Sequence, residues 1–130
     1  MKTLSVEQLK KLRAFFSRKK GIHTALLFGS FATNRVRPSS DVDIAVLLEK
    51  GVEMPWGDQA KMSLKLDGIC HREVDLVILN TAAPHLAFRA IREGKILFQK
   101  KNHLFWNQFV VRTFSMNEDM KILYAKVGRG

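Results

Sequence analysis

Apolar residues recur at Val6, Leu9, Leu12 and Phe16, a spacing of three and four that lays one stripe along a helix. Ser5-Val6-Glu7-Gln8 opens that stripe as a capping box, in which the Ser5 hydroxyl and the Gln8 side chain satisfy free backbone donors. Gly21 follows, placed where a left-handed residue ends a helix. A helix is therefore expected over about 5–19. The period then changes. Thr24-Ala25-Leu26-Leu27-Phe28 is a short apolar run of the kind a buried strand carries, and it stops at Gly29-Ser30. Residues 31–40 contain Asn34, Pro38, Ser39 and Ser40 and predict a short helical turn followed by a loop. The β-branched run Asp41-Val42-Asp43-Ile44-Ala45-Val46-Leu47-Leu48 predicts a strand. Gly51, Pro55 and Gly57 mark a loop, after which Asp58 is placed to cap a short helix carrying Ala60, Leu64, Leu66 and Ile69.

Glu73-Val74-Asp75-Leu76-Val77-Ile78-Leu79 is the clearest strand in the sequence. Pro84 suits the first turn of the next helix, where its missing N–H costs nothing; Leu86, Ala87, Ala90 and Ile91 supply its apolar side and Gly94 ends it. Lys95-Ile96-Leu97-Phe98-Gln99 predicts a last short strand. The helical tail, about 101–127, is apolar over more than one face, with Leu104, Phe105, Trp106, Phe109, Val110, Val111 and Phe114. A second capping box, Ser115-Met116-Asn117-Glu118, predicts a break and a restart before Ile122, Leu123 and Tyr124. The order α-β-α-β-α-β-α-β-α defines an α/β chain with about four strands in a mixed sheet flanked by helices.

Composition narrows the class. A length of 130 residues suits one domain, 1–130, and 46% hydrophobic with 26% charged residues is a globular balance, not a disordered one. No apolar run approaches the roughly 20 residues of a membrane span, and the first residues lack a signal-peptide stretch. Cys70 is the only cysteine, so an intrachain disulfide is excluded and a cytoplasmic, reducing location is expected. The net charge of +10 is unevenly spread: residues 1–20 carry +6, residues 21–98 are neutral and residues 99–130 carry +4. Cationic ends suit an acidic partner or nucleic acid, and equally suit solvated helix faces.

The chemistry gathers around the second and third strands. Asp41 and Asp43 lie two apart at a strand start, so both carboxylates point the same way. Anions held that close call for a cation, and hard oxygen donors favour Mg²⁺ or Mn²⁺. Asp75 is a third carboxylate within an apolar strand, expensive there unless it is paired or metal-bound. If the two strands are neighbours, the three acids form the arrangement used for in-line displacement at phosphorus. Each has a plainer alternative: Asp41 and Asp43 binding backbone donors or Arg35 and Arg37, and Asp75 facing solvent at a sheet edge. Gly29-Ser30 lets a backbone come close to phosphate, or is an ordinary strand–helix turn. No Gly-Lys-Ser/Thr occurs, which excludes a Walker loop.

From Leu26 to Leu48 the chain resembles the nucleotidyltransferase signature of the polymerase-β-like superfamily: a strand ending Gly29-Ser30, residues 31–40, then Asp41-Val42-Asp43. Val74-Asp75-Leu76-Val77 is similar to that family's third-carboxylate strand, and Arg89 to Phe98 to the helix and closing strand of its small members. At this length the chain resembles the minimal nucleotidyltransferases, particularly the MntA-type antitoxins, whose partner is a HEPN-type toxic ribonuclease, HepT. The resemblance implies transfer of AMP from ATP to a tyrosine of such a toxin. It implies that Asp41 and Asp43 hold metal, that Asp75 completes the site and helps deprotonate the acceptor, and that Gly29 and Ser30 cradle the triphosphate. Thr33-Asn34 stands where small members often have Arg-Gly, so Arg35 or Arg37 would have to replace that phosphate contact.

Two other readings compete: a non-catalytic module that masks a toxin, and a nucleic-acid-directed transferase using Lys10-Lys11, Lys19-Lys20 and Lys100-Lys101. Phe105, Trp106, Phe109 and Phe114 suit either docking to a partner or packing on the sheet. Trp56 suits base stacking or anchoring its loop, and Tyr124 self-modification or helix packing. His23, His71, His85 and His103 lack zinc spacing, and Cys70 is expected to be a packed residue.

Overall fold

The structure, a computed structural model, describes residues 3–33, 35–37, 41–117 and 127. Helix α1 (Val6–Arg18) is followed by strand β1 (Ile22–Phe28), a short α2 (Ser30–Thr33), β2 (Val42–Leu48), α3 (Trp56–Cys70), β3 (Val74–Ile78), α4 (Pro84–Glu93), β4 (Lys95–Gln99) and α5 (His103–Asn117). The sheet order is β3-β2-β1-β4, with β1 antiparallel to both β2 and β4 and β2 parallel to β3. This is the mixed four-stranded sheet with helices on both faces that the alternating pattern implies.

Alternation along the strands sorts the core into two layers. Ile22, Ala25 and Leu27 of β1, Val42, Ile44 and Val46 of β2 and Val74 of β3 pack on one face with Leu12 and Phe16 of α1 and Met62 and Leu66 of α3. Leu26 and Phe28 of β1 and Ala45 and Leu47 of β2 point to the other face, against Ala87, Ala90 and Ile91 of α4 and Trp106, Val110 and Phe114 of α5. The tail aromatics are thus settled: Trp106, Phe109 and Phe114 are core, and the Phe114 ring lies 4.8 Å from that of Phe88. These three rings close the α4 face of the sheet, which without them would be open to water, and their burial leaves none of them at the surface to dock a partner. Phe105 is half-buried at the rim, edge-on to His23 at 5.5 Å.

The helix signals hold with some changes. The Ser5–Gln8 capping box is present in both directions at 3.0 and 2.8 Å, and Pro84 occupies the first turn of α4. Gly21 is left-handed (φ +85°), although α1 ends earlier at Arg18 and the glycine turns the chain into β1. Asp58 does not cap α3. The helix begins three residues sooner than an Asp58 cap would place it, at Trp56, and the Pro55 carbonyl accepts the amides of Asp58 and Gln59 at 2.9 and 3.0 Å. Ser115 lies inside α5 and does not start a new helix; Glu118 and the restart at Ile122, Leu123 and Tyr124 lie outside the described residues, as do Asn34, Pro38, Ser39 and Ser40. Among the described residues no helix is long and apolar enough to cross a membrane.

Candidate active site

Asp43 sits opposite Phe28 of β1 on one side and opposite Asp75 of β3 on the other. Residues opposite each other in register share a face, so the Asp43 and Asp75 carboxylates stand side by side on the α4 face of the sheet. Asp41 precedes the first paired residue of β2 and is exposed. Asp75 is exposed as well, on the edge strand. The two readings of Asp75, solvent-facing edge residue and neighbour of the acidic pair, are therefore both true of its position.

Gly29 closes the site on the β1 side. Its φ is +73°, and a Cβ added there would run into Oδ2 of Asp43. Glycine is needed for both reasons: the left-handed backbone, and the carboxylate lying where a side chain would begin. The Gly29 carbonyl accepts the amides of Ala32 and Thr33 at 3.0 and 3.1 Å and the Thr33 hydroxyl at 3.1 Å, which winds α2 from Ser30. Arg35 and Arg37 both follow α2 and are exposed.

Two residues that the sequence did not single out for this site, Arg89 and Glu93, come from the C-terminal half of α4. The Gly29 amide donates to Glu93 at 3.1 Å, and Glu93 is in turn paired with Arg89 at 3.3 Å and Arg92 at 3.7 Å. The Arg89 guanidinium lies 5.7 Å from the centre of the Phe28 ring, next to Asp43 in register. In sequence, Arg89 and Glu93 are an ordinary i, i+4 pair of the kind found on solvated helix faces. Only the packing of α4 over β1 brings them here.

The electrostatics follow from this crowding. Burial pushes the Asp43 carboxyl above its ordinary value, and the neighbouring negative charge of Asp75 pushes the same way; Arg89 opposes them, while Asp41 and Glu93 add smaller upward contributions. A carboxylate disfavoured by its acidic neighbours is relieved by a cation, and an all-oxygen acidic donor set is the chemistry of Mg²⁺ and Mn²⁺. By donor type and strand register the residues fit such an ion. Among the described residues, however, no three acidic, histidine or cysteine side chains are gathered tightly enough to ligate one centre.

The plainer assignments hold elsewhere. His23 is buried, with Nε2 2.7 Å from the Asn102 carbonyl and Nδ1 2.8 Å from the Thr24 hydroxyl, so it ties β1 to the start of α5. His71 is the left-handed residue that ends α3. Cys70 is buried and its thiol is pushed up to about 11, chiefly by burial and then by Asp67, which keeps it an inert, protonated packing residue.

With this geometry in view, residues 10–103 match the family described as polymerase beta, nucleotidyltransferase. The chain belongs to that family. A protein of Methanocaldococcus jannaschii provisionally named a protein adenylyltransferase is 28% identical over 70% of this nucleotidyltransferase and 96% of its own length. The protein adenylyltransferase MntA of Shewanella oneidensis is 32% identical over 73% of this chain and 66% of its own. Among solved structures, a toxin–antitoxin with AMP-PNP is similar at a TM-score of 0.71 and 26% identity, covering 88% of this chain and 87% of the other. A protein provisionally described as a minimal nucleotidyltransferase matches at a TM-score of 0.57 and 30% identity, over 68% of this chain and 87% of the other. Family membership implies a nucleotide substrate.

Proposed function

We propose that this nucleotidyltransferase moves AMP from ATP to a hydroxyl of a partner protein, a tyrosine of a HEPN-type toxin, and so neutralises that toxin. The observation that most supports this reading is the Asp43–Asp75 register pair beside Gly29. The names of the similar proteins, two of them protein adenylyltransferases, supply the acceptor class.

In this reading Gly29 and Ser30 hold the triphosphate tail, and Arg89, ion-paired with Glu93, adds positive charge nearby. Asp75 accepts the proton of the acceptor hydroxyl. That oxygen bonds to the α-phosphorus while the bond from phosphorus to the oxygen bridging to the β-phosphate breaks. Pyrophosphate leaves with the bridging oxygen. Asp43 and Asp75 would hold Mg²⁺ or Mn²⁺ across their register pair, with Asp41 closing in as a further donor, and the ion when bound neutralises charge on the attacking and leaving oxygens.

The test incubates the purified chain with α-labelled ATP, Mg²⁺ and a HEPN protein. Label transfer is expected with the native chain and its loss with Asp43→Asn or Asp41→Asn, each variant folded by circular dichroism. Binding of the HEPN protein without label transfer would make the chain a masking module. Label on RNA in place of protein would make it a nucleic-acid-directed transferase.

A further inference from the structure

Trp56 is 81% exposed, at the first residue of α3. An indole left that open is the residue type most often found at the centre of a binding contact. It walls a cleft of about 210 Å³ with Gln59, Ala60 and Ser63 of α3 and with Val74, Asp75 and Leu76 of β3. Asp75 thus borders both the acidic pair and this cleft.

The lateral order across the sheet separates the two halves of a transfer reaction. Phe28 before Gly29, Asp43 and Asp75 follow one another on β1, β2 and β3. At about 4.8 Å per strand, Gly29 and Asp75 stand roughly 10 Å apart on opposite flanks of Asp43. The cleft lies between α3 and the edge strand β3, on the sheet face opposite the Asp75 carboxylate, so that the strand edge separates the two. Its inner wall is held firmly: the Val74 amide donates to Asp67 at 2.7 Å and the Ser63 hydroxyl donates to the Val74 carbonyl at 3.2 Å, locking α3 to the strand edge. A cleft of this volume falls below the roughly 300–1,000 Å³ of small-molecule sites. It suits one large side chain better than a nucleotide.

We infer that the Trp56 cleft seats the acceptor: a peptide segment presenting a tyrosyl side chain, its ring against the Trp56 indole and its hydroxyl directed over the strand edge to the Asp75 carboxylate. This deepens the proposed function and rests on it. Aromatic contact would supply selectivity for a phenol over a serine or threonine hydroxyl, because only the phenol carries a ring to stack.

Two measurements test the assignment. Trp106, the other tryptophan, is 4% exposed, so acrylamide quenching of the indole fluorescence reports on Trp56. A short tyrosine-containing peptide is expected to shield Trp56 from quencher, a serine counterpart to shield it less, and ATP with Mg²⁺ not at all. Shielding by ATP alone would assign the cleft to the nucleobase and overturn the inference, as would no shielding by the tyrosine peptide. In transfer assays on a HEPN protein, Trp56→Ala is expected to raise the KM for the protein about tenfold, with the KM for ATP unchanged and Trp56→Phe restoring most of the loss. An unchanged acceptor KM in Trp56→Ala would overturn the cleft assignment while leaving transfer itself intact. Continued transfer by Asp43→Asn would instead overturn the proposed function, so the two failures are distinct.

Discussion

At Gly29 a single hydrogen atom decides whether the site exists. Alanine there would carry an L side chain at φ +73°, costing roughly 1–2 kcal/mol, and would also push the Asp43 carboxylate aside. Gly29→Ala is expected to lower Tm and to abolish transfer together, read by thermal melt and label incorporation. Asp43→Asn should separate the two. Asp43 titrates above its ordinary 3.8 in the fold, so the folded state binds its proton more tightly than the unfolded one. Native stability is therefore lost as pH rises through that raised value. The asparagine variant is expected to melt higher than the native chain at pH 7, with the advantage gone below the ordinary carboxylate range. Equal melting temperatures at pH 7 would contradict that account. The glycine and the aspartates announce themselves in sequence by type and spacing. Glu93 and Arg89 do not, because an i, i+4 ion pair looks the same on a bare helix as it does over the strand that ends in Gly29.

Elements carry their own signals unevenly. The Ser5–Gln8 box is local chemistry and forms as written, so Ser5→Ala is expected to cost about 1 kcal/mol in chemical denaturation. The start of α3 is less plain in sequence. Asp58 has the right type for a cap, but the Pro55 carbonyl already takes the first helical amides and the helix begins at Trp56. For α5, apolar residues on more than one face are consistent with burial and with docking alike. Packing against α4 and the sheet resolves it as burial, and Phe114→Ala is expected to cost about 3–5 kcal/mol. A loss below 1 kcal/mol would return the tail to the surface.

For the whole molecule, both core layers are built on one sheet, with β1 and β2 contributing buried residues to each, and we expect one cooperative unfolding transition for residues 1–130. Leu12→Ala on one face and Phe114→Ala on the other should shift the same single calorimetric peak; two separable peaks would mean that the faces fold independently. Lys10 and Lys11 of α1, with Lys19 and Lys20 just after it, remain exposed, whereas Lys100 is engaged with Glu49 at 2.9 Å. Hydrophobic periodicity was enough to place each strand within two residues, because a strand or helix is selected by which of its own faces must leave water. Residue type and spacing were enough to nominate Gly29, Ser30, Asp41, Asp43 and Asp75. Strand order was another matter. That β2 lies between β1 and a parallel β3, that Asp75 therefore stands opposite Asp43, that α4 delivers Glu93 to Gly29, and that Trp56 opens onto the strand edge all depend on contacts between segments far apart in the chain. Such pairings are chosen by how two buried faces close over one sheet, and no local pattern encodes them.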